Sequence, residues 1–265
     1  GLVPAASAAG IKDLWSMDLQ ILATSDTHGK FDPWDYAANK ADASGSVAQQ
    51  ATAIKENRTK TTLVVDAGDT IQANSAELFL NDDVHPMIAA QNAIGYDVYV
   101  TGNHEWASGQ MPELRQLLDE TGVTYLSNTF VPLERNGDTI TLAGIDDPNG
   151  YAGQKSPEEV AGEVKEAAGD GFWLLMAHRN NLFDGEYCRL GADLVLSGHG
   201  HGGIWRLPFT DGLLGAGGQL LPGFTNGFYR CTDGHEAQVF VTRGLGGIPR
   251  LFNHPQVAVL TLHCE

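Results

Sequence analysis

The chain has 265 residues, 42% of them hydrophobic and 18% charged, enough for one large domain or two small ones. Sixteen Lys and Arg against 33 Asp and Glu leave a formal charge of −17, which repels polyanions and argues against a nucleic-acid polymer or an anionic bilayer as partner. Three separated cysteines, Cys188, Cys231 and Cys264, exclude a disulfide framework and a cysteine zinc site, and no apolar run is long enough for a transmembrane helix. The first 16 residues have neither the basic start nor the long apolar stretch of an intact export signal. Residues 1–17 therefore read as an N-terminal tail or a cloning remnant, and 18–265 as one domain.

In chain order, short apolar runs end in polar clusters and alternate with helical stretches. Leu19 to Ala23 precedes SDTHG and Thr62 to Val65 precedes DAGDT, both in the manner of buried strands. HPMIAAQNAI then reads as a helix, followed by a strand from Tyr96 to Val100 before TGNHE. Residues 111–122 form an amphipathic helix stopped by glycine, 139–148 a strand, and 156–170 a second helix with an acidic start. Phe172 to Met176 before AHRNN and Asp193 to Leu196 before SGHGH repeat the strand pattern. Beyond Gly202 the chain turns to Gly, Pro and β-formers, with AQVFVTRGLG and QVAVLTLHC as closing strands. An alternating first half and a β-rich last third predict two packed sheets with helices outside.

Of nine histidines, five (His28, His104, His178, His199 and His201) follow predicted strands, where α/β folds place ligand sites. Asp26, His28, Asp69, Asn103, His104, His178, His199 and His201 can then converge on one crevice. Taken singly, a D-x-H or a G-D is a weak signal, but their order, each after its own strand, is strong. The donor set suits two metal ions. Asp26, His28 and His201 can hold one, Asn103, His178 and His199 the other, and Asp69 can bridge them. Imidazole and carboxylate without thiolate select divalent or trivalent Mn, Fe, Zn or Ni, with Mn the first choice. Such a pair outweighs two aspartates and a hydroxide, leaving a cationic spot suited to phosphate. Two metals roughly 3.5–4 Å apart activate a bridging water and clamp phosphoryl oxygens. His104, needed by neither ion, is assigned with Asp69 to catalysis, as stabiliser of the transition state or proton donor to the leaving oxygen.

SDTHG, GDT, GNHE, AH and GHGH together resemble the calcineurin-like metallophosphoesterase superfamily, from about Asp18 onward. The resemblance implies a four-layer α/β/β/α sandwich of two mixed sheets, with a dimetal site at the strand C-termini and phosphoester hydrolysis as the activity. Residues 19–106 look like the 5'-nucleotidase and 2',3'-cyclic-nucleotide phosphodiesterase branch. Residues 106–262 look like small bacterial membrane-associated phosphoesterases, some of which cleave UDP-diacylglucosamine. The resemblance implies a small phosphoester substrate, nucleotide or lipid-linked: a phosphodiester, a pyrophosphate or a phosphomonoester. A catalytically inactive metal-binding scaffold on the same fold is the alternative. Two departures stand out: Ala107 occupies the place of the aspartate that partners the catalytic histidine in many nucleotidases, and Gly200 stands where the second group has threonine.

Arg179, Asn180 and Asn181 follow His178 and are candidates to bind substrate, Arg179 by a bidentate grip on phosphate. Arg206 and Arg243 are weaker candidates of the same kind. Trp106 can stack a base or pack beneath the metal loop. The glycine-rich run 212–223 lacks G-K-[ST] and reads as a flap or an apolar lip over the site. His85, His235, His254 and His263 are expected in turns or surface strands, and Cys188 as a small buried side chain.

Overall fold

A computed structural model describes residues 18–35, 39–72, 76, 79, 84–135, 138–207, 209–246 and 249–263. The tail 1–17 and Cys264 lie outside the described residues. The strands in chain order are β1 (Leu19–Thr24), β2 (Trp34–Asp35), β3 (Lys40–Ala41), β4 (Thr62–Asp66), β5 (Val98–Tyr99), β6 (Thr124–Tyr125), β7 (Thr129–Arg135), β8 (Asp138–Ile145), β9 (Trp173–Arg179), β10 (Leu194–Gly198), β11 (Gly227–Arg230), β12 (Gln238–Val241) and β13 (Ala258–Leu262). The helices are α1 (Val47–Asn57), α2 (Pro86–Ile94), α3 (Asn103–Ala107), α4 (Met111–Thr121) and α5 (Pro157–Ala168).

One sheet has the order β13-β1-β4-β5-β6 and the other β11-β12-β10-β9-β8-β7, with β2 and β3 a separate hairpin. Both sheets are mixed: β1, β4, β5 and β6 run parallel with β13 antiparallel, and β8, β9, β10 and β12 run parallel with β7 and β11 antiparallel. The period-two alternation of each strand sorts its side chains between layers. Ile21, Ala23, Val65 and Val98 of the first sheet meet Leu142, Leu174, Met176, Leu196 and Phe240 of the second in the central core. On the outer face of the first sheet, Leu22, Val64 and Tyr99 pack under α1, α2 and α4 through Ile54, Met87, Ile88, Leu114 and Leu118. On the outer face of the second, Val160, Ala161 and Val164 of α5 cover Ala143, Leu175 and Val195. The result is the helix–sheet–sheet–helix sandwich, and each fully buried Leu or Ile contributes roughly 1.5–3 kcal/mol to it.

Local chemistry sets the ends of the helices. Ser156 accepts from Glu159 N while Glu159 reaches back to Ser156 N, a reciprocal cap on α5, and Gly122 at φ 76° closes α4. The strand expected over Tyr96–Val100 is shorter, Val98–Tyr99, because Tyr96 N still bonds Gln91 O at the end of α2. β7 carries Pro132, which hides it from a strand reading; an edge position accommodates the missing N–H. Among the described residues, much of 202–226 is irregular rather than β-rich.

Cys188 is buried as expected, but it does not stand alone. Cys188 and Cys231 form a disulfide, Cα atoms 5.8 Å apart across a sequence separation of 43. It joins the short 3-10 turn Tyr187–Arg189 to the end of β11. Only the tertiary packing brings these segments together, which cysteine spacing does not encode. Among the described residues, no helix is long and apolar enough to cross a membrane.

Candidate metal centre

The C-terminal ends of β1, β4, β9 and β10 and the start of α3 converge at one edge of the sandwich. Three groups of side chains gather there with their ligand atoms within 4.8 Å of one another: Asp26, His28 and His201; Asp69, His178 and His199; and His28, Asp69 and His104. His28 Nε2 lies 3.3 Å from His201 Nε2, and 3.9 Å from both Asp26 Oδ1 and Asp69 Oδ2. His201 Nε2 is 3.5 Å from Asp26 Oδ1. His178 Nε2 is 2.9 Å from Asp69 Oδ2, though without hydrogen-bond geometry. Asp69, His28 and His178 are shared or adjacent between these groups, so the cluster is continuous.

The backbone is bent to achieve this. Asp26, His28, Asp69, His199 and His201 all have φ between 47° and 62°, the left-handed region that non-glycine residues rarely adopt. Cross-braces hold these residues there: Asp26 N to Gly68 O at 2.8 Å, His28 N to Asp69 O at 2.9 Å, and Gly246 N to Asp26 O at 2.7 Å. Strain of this kind persists only where surrounding structure over-determines it, and it concentrates at functional sites. Gly102 is a second constraint, since a Cβ there would sit 2.2 Å from Asp69 Oδ1.

Hydrogen bonds aim the side chains. Ser25 Oγ donates to Asp26 Oδ2 at 2.5 Å, and His199 N reaches both Asp26 oxygens at 3.0–3.1 Å. His178 Nδ1 donates to Ala67 O at 2.7 Å, which turns Nε2 inward. His104 N donates to Asp69 Oδ1 at 2.8 Å, and its ring Nδ1 to Gln72 Oε1 at 3.0 Å. Gln72 thus supplies the ring partner that Ala107 does not. The His104 ring stands edge-on to His28, centroids 4.6 Å apart.

The electrostatics are those of crowded buried ions. Burial pushes Asp69 up, yet His178, His28 and His104 together hold it well below the usual carboxylate range. Burial pushes His178 down, but Asp69, Asp26 and the Ala67 carbonyl hold it up, at about 10. His28 and His199 are pushed by burial to about 4. Asn103 Oδ1 is buried with no hydrogen-bond partner, while His178 Nε2 faces Asp69 Oδ2 at 2.9 Å. Orphaned buried acceptors are costly, and oxygen and imidazole nitrogen are what transition-metal ions take. The residues present therefore fit a metal centre, with no cysteine among them.

Sequence reasoning missed Glu105. Fully buried, its carboxylate accepts from Asp69 N at 2.9 Å, Thr70 N at 2.6 Å, Ile71 N at 3.1 Å and Gly102 N at 2.8 Å, tying the Asp69 loop to α3. The signal was its place in GNHE, three residues after Gly102, where it closes the first turn of a helix too short for periodicity to reveal.

Other candidates fall into place around this cluster. Arg179 grips Asp147 through Nε at 2.6 Å and Nη2 at 3.1 Å, and Asn180 Nδ2 donates to Phe224 O at 2.7 Å. Asn180, Asn181, His199, Gly217, Gln219 and Phe224 line a cavity of about 240 Å³. Its outer wall is the glycine-rich run, folded back through a bridge between Leu214 and Leu220. Trp106 packs edge-on to Tyr151 and donates to Thr101 Oγ1 at 3.1 Å, so it serves the core beneath α3. His85 caps α2.

Comparison with known proteins agrees with this geometry. The family model described as calcineurin-like phosphoesterase matches residues 19–203. The trifunctional nucleotide phosphoesterase YfkN of Bacillus subtilis is 38% identical over 103 residues, 34% of this chain and 7% of that protein. The uncharacterized metallophosphoesterase YkuE of the same organism is 27% identical over 212 residues, 78% of this chain and 69% of that protein. The matches to the first three curated relatives take in only 7–20% of their lengths. The crystal structure of YfkN superposes with a TM-score of 0.59 at 23% identity, covering 86% of this chain and 82% of that one, which shows a shared fold.

Proposed function

The chain belongs to the calcineurin-like phosphoesterase family, and on that premise we propose that it is a dinuclear metal-dependent hydrolase of a phosphodiester, a pyrophosphate or a phosphomonoester. Asp26, His28 and His201 would hold one ion, Asn103, His178 and His199 the other, with Asp69 between them. When bound, the pair supplies a hydroxide nucleophile at neutral pH and neutralises the phosphoryl oxygens. The observation that carries the reading is the pair of buried His/Asp groups joined through Asp69, together with the unpartnered buried Asn103 Oδ1.

The protein's own groups then have distinct tasks. The Ala67 carbonyl fixes the His178 tautomer, and Ser25 and His199 N hold the Asp26 carboxylate in place. Glu105 sets the Asp69 loop. His104, anchored to Gln72 through Nδ1, presents its other ring nitrogen to a leaving oxygen as proton donor or electrostatic stabiliser. The uncharged cavity beside His199 suits the organic part of the substrate, with Asn180 and Asn181 on its wall, while Arg179, next to them in the chain, is held by Asp147. The name of YfkN supports nucleotides as one substrate class; a lipid-linked ester is the other. The ions are taken as Mn first, then Fe, Zn or Ni, on donor chemistry.

The test is hydrolysis of bis-p-nitrophenyl phosphate and p-nitrophenyl phosphate, with added Mn and after chelation. Chelator-sensitive cleavage supports the proposal, and the diester-to-monoester ratio selects the substrate class. Full metal loading with no turnover of either substrate would favour the inactive scaffold.

A further inference from the structure

On the His201 side of the metal centre stand two arginines that form no ion pair with a carboxylate among the described residues. Three other arginines meet carboxylates: Arg179 with Asp147, Arg115 with Asp146, and Arg189 with Asp233. The Arg243 guanidinium has no hydrogen-bond or ion-pair partner among the described residues, and its Nε is buried and unsatisfied. Arg250 donates to two carbonyls, Arg243 O at 2.7 Å and Gly246 O at 3.3 Å. Its Nη2 lies 3.5 Å from His201 Nδ1, and its Nε is also buried without a partner. The buried Nε of each arginine is left unsatisfied at a cost, and the outer nitrogens of the half-buried Arg243 remain free to meet an anion.

The pair sits at the site. A Cβ on Gly202, the residue after His201, would lie 2.9 Å from Arg243 Cγ, so the arginine stem runs along the ligand loop itself. The segment between the arginines is bonded to the Asp26 carbonyl through Leu245 N and Gly246 N. Arg206 is a poor third member, because Gly202 O, Thr225 Oγ1 and Thr210 O already occupy its donors. It still acts on its neighbour: burial and Arg206 hold the Arg243 guanidinium below its usual range. Burial and Arg243, against the pull of Asp26, bring Arg250 to about 10. There is also a tautomer argument. With His201 Nε2 given to a metal, Nδ1 carries the proton and faces an Arg250 donor, two donors with nothing between them.

We propose that Arg243 and Arg250 form an anion subsite beside His201 that binds a second phosphate group of the substrate, an assignment that rests on the proposed phosphoesterase function. The cavity is lined by His199, two residues before His201 in the same loop. A substrate would then span the centre, with its neutral part on the His199 side and its second charge on the His201 side. Substrates carrying a diphosphate would be preferred over simple monoesters.

Two measurements test this. The first is calorimetric titration of metal-stripped protein with inorganic phosphate, comparing wild type with Arg243→Gln, Arg250→Gln and Arg243→Lys. Loss of a charge-assisted hydrogen bond should weaken phosphate binding about 10- to 100-fold in the two glutamine variants. The lysine variant should recover part of the loss. The thermal midpoint of Arg243→Gln should not fall, because that guanidinium holds nothing in place; a large fall would assign it a structural role and overturn the proposal. Equal binding by all four proteins, or none by wild type, would overturn it as well. The second is the ratio of KM for adenosine 5'-diphosphate to KM for bis-p-nitrophenyl phosphate with Mn added, which should rise about tenfold in Arg243→Gln. A response in the titration without a change in this ratio would make free phosphate the occupant and overturn the substrate assignment. If wild type turns over neither substrate, the hydrolase reading has failed, while the titration still decides the subsite.

Discussion

Replacing Glu105 with glutamine probes how the fold supports the metal loop. The carboxylate serves four backbone N–H groups, two through each oxygen: Asp69 and Gly102 on Oε2, Thr70 and Ile71 on Oε1. An amide keeps one oxygen, so two buried N–H groups lose their acceptor and face an NH₂ group instead. Each such loss costs about 1–3 kcal/mol, roughly 2–6 kcal/mol for the pair. Burial, and then Asp69, raise the Glu105 pKa, so removing the charge returns part of that cost, and the net expectation is about 2–4 kcal/mol. For a domain of this size that lowers Tm by roughly 4–16 °C. The assay is thermal and urea unfolding of metal-stripped protein at neutral pH, which separates the loop's own stability from metal binding. Glu105→Ala, which leaves all four donors bare, should be worse still. A change below about 0.5 kcal/mol, typical of an uninvolved surface position, would refute the assignment of Glu105 as the brace of the Asp69 loop.

Further predictions concern chemistry, redox state and pH. His104→Ala should retain its metal, because the contact to Asp69 is through the backbone N–H, while kcat falls by about 10²–10⁴; loss of metal in step with rate would contradict the role given to the ring. Removing the disulfide in Cys188→Ser/Cys231→Ser opens a loop of 43 residues and should cost about 4 kcal/mol on chain-entropy grounds; indifference of the melting curve to reductant would count against the bond. Burial raises Asp66 to about 7 despite donors from Thr24, Thr70 and Gly68. A carboxyl whose folded pKa exceeds its unfolded value of 3.8 stabilises the fold fully below that value and loses the contribution as pH rises through about 7. Stability of the metal-stripped protein should therefore decline between about pH 4 and 7, with a shallower slope in Asp66→Asn; identical slopes would contradict it.

Much of the architecture was legible because strands such as Leu19–Thr24 and Trp173–Arg179 are continuous apolar runs, as strands covered on both faces require. The helices at Met111–Thr121 and Pro157–Ala168 were legible through their apolar stripe and glycine stop. β7 was hidden by Pro132, which only an edge position tolerates, and α3 by its five residues. The gathering of Asp26, His28, Asp69, His178, His199 and His201 could be anticipated because a parallel sheet sends strand ends to one edge. The left-handed backbone of Asp26, His28, Asp69, His199 and His201 could not, since Asp and His adopt φ above zero more often than most residues but far too rarely to predict it at a given position. The disulfide, the pairing of His104 with Gln72 and the absence of a carboxylate ion pair at Arg243 and Arg250 among the described residues are tertiary facts, fixed by which loops pack together.

The most direct test of the account is the metal content of the purified protein after incubation with Mn, read by elemental analysis beside Asp69→Asn. Two ions held through a shared aspartate predict about two per wild-type chain, with the aspartate variant losing both most of its metal and most of its hydrolysis. Wild-type protein that stays empty, or an Asp69→Asn variant that binds and cleaves as well as wild type, would contradict a dimetal centre built on Asp69.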